Sequence, residues 1–298
     1  MNRREARRSI EFAITPPEEG VPGAEILASP NNNRNEKRAV NKKRISCPEF
    51  NEAGICSSVR VCGPIGLFMP QLLHRNFFLP GPAGRLEALL WAVPEREGGA
   101  VPPAAVVCHP HPLFGGTMHN KVVYQAAKTL HRFGLPVLRF NFRGAGLSEG
   151  AHDEGRGELD DVSAALDFLA AEYPGAPILL AGFSFGSSVG LRAGCKDSRI
   201  AELIGLGLPM GNLGNQEFSY LDACDKPKLL VSGELDAYGP PERLEAMVER
   251  FPPQSKALNS IAIISGADHF FAGHLPELDQ AIAGWLKAQH PNLIEKSE

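Results

Sequence analysis

Pro177-Ile178-Leu179-Leu180-Ala181-Gly182-Phe183-Ser184-Phe185-Gly186 is the stretch that decides how this chain is read. A short apolar run feeds G-F-S-F-G, which is the pattern of a buried strand turning at once into a helix. A serine on such a turn sits on strained backbone with its hydroxyl exposed, where a base can reach it. Gly182 and Gly186 suit the turn because a Cβ at either place would crowd it. In a chain of this length the five-residue pattern arises by chance about 0.1 times at average composition. Its meaning therefore comes from the surrounding sequence.

The chain has 298 residues, 43% of them hydrophobic and 21% charged, which supplies a sizeable core with an ordinary soluble surface. A net charge of −4 gives no electrostatic footprint for nucleic acid. No apolar run is long enough to span a bilayer, and the Arg-rich start lacks the apolar core of a secretory signal. The expectation is a cytoplasmic protein with no membrane or nucleic-acid partner. Six cysteines (Cys47, Cys56, Cys62, Cys108, Cys195, Cys224) show neither C-x-x-C nor zinc spacing, and read as reduced, unpaired thiols.

Residues 1–68 carry no sustained periodicity. Asn31 to Arg38 and the cluster Lys42-Lys43-Arg44 cannot bury enough apolar surface to offset chain entropy. They are expected to form a disordered extension, dispensable for activity; Met69 stands immediately before the first ordered-looking segment, and the extension reads as an over-extended start of translation. Residues 69–290 read as one domain and 291–298 as a tail. Leu72–Leu79 and Arg85–Val93 suggest an antiparallel hairpin. Strands are then expected at Ala104–Cys108, Val137–Phe142, Ile178–Gly182, Leu203–Leu208, Lys228–Val231 and Ile261–Ile264. Helices are expected at Asn120–Phe133, Glu158–Ala171, Phe185–Gly194, Pro241–Arg250 and Leu275–Ala288. In the second of these, apolar positions 162, 165, 166 and 169 keep helical spacing, with Asp160, Asp161 and Asp167 on other faces. Apolar strands alternating with helices predict an α/β fold, a mostly parallel, doubly wound sheet with an antiparallel N-terminal hairpin.

Catalytic groups in such sheets collect at the carboxyl ends of the strands. Ser184 follows the central strand, Asp236 follows Lys228–Gly233, and His269 follows Ile261–Ile264. In these places a serine nucleophile, a histidine base and a carboxylate that fixes the imidazole tautomer make an acyl-transfer site. Glu234 and Asp268 are competing acids, and His274 is an alternative base. The fourth strand end leads into Cys108-His109-Pro110-His111-Pro112-Leu113-Phe114-Gly115-Gly116. Backbone N–H groups there can hold a developing oxyanion, but Pro110 and Pro112 have none. His111 is the best donor and Leu113 the second, with the N–H of Phe185 as the partner donor. His109 reads as structural. A metal site at His109 and His111 is the rival reading, but no further ligand motif follows.

These residues resemble the α/β-hydrolase superfamily over about residues 69–290. Besides the elbow, Arg143-Gly144-Ala145-Gly146-Leu147-Ser148-Glu149-Gly150 looks like that superfamily's loop after the fourth strand. The His-Pro-His-Pro-Leu-Phe-Gly-Gly and Gly-Ala-Asp-His-Phe-Phe segments are similar to a bacterial branch of small hydrolases, itself like dienelactone-hydrolase-like and serine-aminopeptidase-like proteins. The resemblance implies serine chemistry with no metal and no organic cofactor. Relatives with lids insert a helical cap after the strand ending near Pro209; the roughly 20 residues before Lys228 leave room for a short flap at Met210–Tyr220 only. Met210, Leu213, Phe218 and Tyr220 there suit either pocket or core; Phe183 and Phe185, which flank Ser184, suit the walls of an acyl pocket or equally the core. The sequence is thus read as a capless serine hydrolase of esters or thioesters, acting on a small-molecule acyl substrate. A peptidase or amidase with the same three residues is the runner-up, and a non-catalytic binding protein the third reading.

Overall fold

The computed structural model describes residues 74–94, 102–213, 215–293 and 295. The expected extension over 1–68, and with it Cys47, Cys56 and Cys62, lies outside the described residues. β1 (His74–Gly81) and β2 (Gly84–Trp91) form the antiparallel hairpin, closed through Gly81 opposite Gly84. β3 (Ala104–Cys108) leads through a single 3-10 turn at Pro112–Phe114 to helix α1 (Lys121–Arg132). Asn120 caps that helix, its side-chain oxygen accepting from the N–H of Val122 at 2.9 Å. β4 (Val137–Phe140), α2 (Gly157–Glu172), β5 (Ile178–Phe183), α3 (Phe185–Lys196) and β6 (Ile200–Leu206) follow. After a short helix α4 (Met210–Leu213) and a 3-10 stretch at Asn215–Leu221 come β7 (Lys228–Gly233), α5 (Pro241–Glu249), α6 (Pro253–Lys256), β8 (Asn259–Ile264) and α7 (Leu275–Gln289).

The eight strands make one sheet in the order β1-β2-β4-β3-β5-β6-β7-β8. β2 pairs antiparallel with β1 and β4; every other pair is parallel. β3 and β5 are buried along their whole length, as strands covered on both faces must be. One face packs against α2, α3 and α5 around Leu180, Leu203 and Leu244. The other packs against α1 and α7 around Val123, Ile204 and Ile282.

Most expected elements stand within a few residues of their predicted bounds. β6 begins three residues early because its start, Ile200-Ala201-Glu202, carries a charge that hides the strand. Glu202 is buried there opposite His290, whose Nε2 lies 2.8 Å from Glu202 Oε2. Asp161 sits on the inner side of α2, not on a solvated face: its carboxylate is buried and takes Arg143 Nη2 at 2.7 Å. Met210 and Phe218 belong to the core, and Tyr220 packs against it while its hydroxyl donates to the Ser188 carbonyl at 3.3 Å. Cys108, Cys195 and Cys224 are free thiols. Among the described residues no helix is long and apolar enough to cross a membrane.

Helix α3 packs directly on the backbone at the end of β3. A Cβ built on Gly186 would stand 2.4 Å from the His109 carbonyl oxygen and 2.5 Å from that of Cys108. Both contacts are backbone and cannot swing aside. Gly186→Ala is therefore expected to destabilise the fold by about 3 kcal/mol or more. Urea unfolding of the purified variant against the wild type measures this, and a change under 1 kcal/mol would refute so tight a contact.

Candidate active site

The elbow is built from backbone strain. Ser184 has φ 54° and ψ −117°, in the region that non-glycine residues occupy at a cost of about 1–3 kcal/mol. Hydrogen bonds hold it there: its N–H donates to the Leu206 carbonyl at 2.9 Å, and its own carbonyl accepts from Ser187 Oγ at 2.6 Å and from the N–H groups of Ser187 and Ser188. Gly182 gives the turn its room, since a Cβ there would meet the Gly186 carbonyl oxygen at 2.2 Å.

The loops after β5, β7 and β8 bring Ser184, Asp236 and His269 together. His269 Nε2 lies 2.9 Å from Ser184 Oγ, and His269 Nδ1 lies 2.8 and 3.0 Å from the two oxygens of Asp236. Asp236 is buried, and its Oδ1 also accepts the N–H groups of Tyr238 and Gly239, each at 2.8 Å. Such a carboxylate cannot rotate freely; it holds the imidazole with Nδ1 protonated and Nε2 turned to the serine. The competing acids point elsewhere. Glu234 Oε2 accepts from Ser265 Oγ and the Gly266 N–H, both at 2.7 Å, while Asp268 Oδ1 caps the N–H groups of Phe270 and Ala272 at 3.0 Å. His274 lies beside Gly266 and Glu277.

The loop after β3 is fastened to β4 at both ends. His109 is wholly buried; its Nδ1 donates to the Pro110 carbonyl at 2.6 Å and its Nε2 accepts the Phe142 N–H at 2.9 Å. Both ring nitrogens are thus engaged, which leaves none for a metal. At the far end, Met118 donates its N–H to Asn141 Oδ1 at 2.7 Å and accepts from Arg139 Nη1 at 3.0 Å. Arg139 is a buried cation stacked on Trp91, its centre 4.3 Å from the ring, and burial pulls its pKa down to about 10. Nothing in the alternation of β4 flagged that side chain as an anchor.

Between these anchors the two candidate donors separate. The Leu113 N–H is taken by His111 Nδ1 at 3.3 Å. The His111 N–H has no acceptor among the described residues. Phe185 opens α3, so its N–H has no acceptor within the helix. Burial, and after it the neighbouring His152, holds the His111 imidazole below its usual pKa, with Glu158 acting in the opposite sense. Phe183 is not a pocket wall: it is fully buried beneath the His269 ring, 5.3 Å away. Phe185 is half-buried and packs on His111, Phe142 and His152. The connection from β6 to β7 adds only α4 and its 3-10 stretch, and among the described residues no cap covers the serine.

Comparison with known proteins identifies the family and the fold. A family model described as serine aminopeptidase, S33, matches residues 102–218. RP471, an uncharacterized protein of Rickettsia prowazekii (strain Madrid E), is 36% identical over 220 residues, 73% of this chain and 89% of that protein. The structure of an α/β serine hydrolase homologue from Coxiella burnetii is 36% identical and superposes with a TM-score of 0.64, covering 71% of this chain and 97% of that one. XC6422 from Xanthomonas campestris, described as an α/β serine hydrolase without a lid, is 33% identical with a TM-score of 0.63, covering 72% and 94%.

His109 offers a direct check on the loop anchor. Burial lowers its pKa to about 4, below the 6.5 of an exposed imidazole. A base whose folded pKa is depressed stabilises the fold fully above its unfolded pKa and loses that contribution as pH falls. The loss should run from about pH 6.5 down to 4, on the order of 3 kcal/mol in total. NMR titration of the folded protein is expected to show His109 neutral until near pH 4; a midpoint near 6.5 would contradict the buried, doubly bonded ring.

Proposed function

This chain belongs to the α/β serine hydrolases, and on that premise we propose that it cleaves carboxylic esters or thioesters through an acyl-enzyme on Ser184. The observation that carries this reading is the unbroken relay from Asp236 through His269 to Ser184 Oγ, at 2.8 and 2.9 Å. Ser184 Oγ attacks the acyl carbonyl while His269 Nε2 takes its proton. The tetrahedral oxygen is held by the N–H groups of His111 and Phe185, each donor contributing about 3 kcal/mol. His269 then protonates the departing alkoxide or thiolate, and the alcohol or thiol leaves. Water, deprotonated by His269, releases the acid and restores the serine. Asp236 stays ionised throughout and stabilises the imidazolium.

The mouth of the site supports an apolar acyl group. Leu113 and Phe114 on the His111 loop are 69% and 86% exposed; Tyr238 and Phe270, beside His269, are 53% and 52% exposed. The Tyr238 and Phe270 rings lie 4.6 and 5.2 Å from the His269 ring, and the Phe114 ring lies 4.8 Å from that of His111. Apolar surface thus flanks Ser184 on both sides without a lid, which suits small or flexible acyl chains. Amide cleavage by the same residues is the second reading, favoured by the serine aminopeptidase description of the matching family model. Against it, Glu234 already accepts hydrogen bonds from Ser265 and Gly266 of the loop after β8, and Asp268 from Phe270 and Ala272 in its own turn.

A fluorophosphonate probe should label the wild-type protein at one residue and leave Ser184→Ala unlabelled. Asp236→Asn should keep the fold and lose about 10⁴-fold in kcat on a p-nitrophenyl ester. Short-chain esters should be turned over faster than matched anilides. Absence of labelling in the wild type, or labelling of Ser184→Ala, would overturn the mechanism; faster anilide cleavage would favour the amidase.

A further inference from the structure

The loop that follows β4 touches both residues proposed to give their backbone N–H groups to the tetrahedral oxygen. The His152 ring centre lies 4.6 Å from that of His111 and 5.3 Å from that of Phe185, and those two rings lie 4.8 Å from each other. Three side chains thus pack as one aromatic cluster, two of them belonging to the donor residues. The same loop continues against Phe185, where a Cβ built on Gly155 would lie 3.6 Å from Phe185 Cε2.

His152 sits beside a carboxylate with no access to solvent. The Glu158 side chain is fully buried, and Oε1 lies 2.7 Å from His152 Nδ1. Oε1 also accepts the Asp153 N–H and Oε2 the Gly155 N–H, each at 2.8 Å. A buried carboxylate is costly unless it is surrounded by donors, and here the donors come from the loop it organises. One turn further along α2, Asp161 grips Arg143 at the start of the same loop. Glu158 and Asp161 thus hold both ends of the segment that carries His152.

We propose that His152, held by Glu158, is a positioning residue of the oxyanion site: it wedges the His111 and Phe185 rings so that their backbone N–H groups converge on one point. Any substitution short of proline leaves both N–H groups in place, so their aim is tested through the side chains that pack around them. His152 packs against the rings and not against the relay, so its effect falls on the stabilisation of the tetrahedral state and not on proton transfer within Ser184, His269 and Asp236. A displacement of the donors by a fraction of an ångström weakens only interactions made in the transition state.

This inference rests on the acyl-enzyme reading, and the test separates the two. Wild-type labelling by the fluorophosphonate probe and turnover of a p-nitrophenyl ester come first; their absence defeats the reading of the reaction. With both present, His152→Ala is expected to lower kcat by about 10- to 100-fold with KM within twofold. A trifluoromethyl ketone, whose adduct with Ser184 places an oxyanion in the same space, should lose affinity by the same factor. Inhibition by the carboxylate product should stay unchanged. His152→Phe, which keeps the ring but not the polar contact with Glu158, should recover part of the loss; it also carries the comparison should the alanine variant fold poorly. Unchanged kcat and ketone affinity in a variant of wild-type Tm would overturn the proposal. So would losses in KM and product inhibition equal to the loss in ketone affinity.

Discussion

Helix α3 leaves β5 so abruptly that its first turn rests on the backbone at the end of β3, and the site's geometry depends on that contact. Only a glycine at 186 lets the helix lie against the carbonyls of Cys108 and His109. The approach forces Ser184 into positive φ, lifts its hydroxyl clear of the sheet and leaves the Phe185 N–H without a helical acceptor. It also sets how far the loop after β3 stands from the serine, because His109 is both the residue touched and the first anchor of that loop. A nucleophile, one candidate donor and the root of the other therefore follow from a single packing constraint.

β4 supplies the complementary restraint. Phe142, Arg139 and Asn141, at or just after its end, hold His109 and Met118, the two ends of the loop that presents His111. Asn141 is itself tied to Glu87 of the neighbouring antiparallel strand through Nδ2 at 2.7 Å. Glu87 Oε2 also accepts the Leu147 N–H at 2.8 Å, which draws the loop after β4 into the same network. Preorganisation at the site thus comes from polar groups on the sheet rather than from a covering domain. This is consistent with a chain whose β6–β7 connection holds only short helical turns.

Periodicity and strand-end chemistry made the architecture and the grouping of Ser184, Asp236 and His269 legible in the sequence. Apolar strands such as Ala104–Cys108 announce themselves, and proline alone narrowed the choice of donors in the His111 loop. The illegible parts were those in which charge is buried. Glu202 masked the start of β6, Asp161 passed for a surface acid on α2, and Arg139 sat unremarked in an apolar strand. Each is compensated by a partner distant in sequence or by an aromatic face, His290 88 positions away and Arg143 18. A one-dimensional pattern cannot display such pairing. Glu158 shows the same difficulty at the site: it reads as an ordinary first-turn acid of a helix and proves to be the organiser of the preceding loop.

The rings around His269 link the apolar mouth to the relay. Phe183 lies beneath the imidazole in the core, Tyr238 lies 4.6 Å from it on the open side, and Phe270 meets it edge-on. Tyr238 also gives its N–H to Asp236, so the residue that borders the mouth helps fix the carboxylate that orients the base. In the proposed reaction an acyl chain lying against Tyr238 and Phe270 would pack onto the residues that hold His269 in line. Exposed aromatic surface near a serine is commonly read as specificity alone. Here the same side chains bound the freedom of the His269 ring, so enlarging the mouth by trimming Tyr238 would also loosen the alignment of His269 with Ser184.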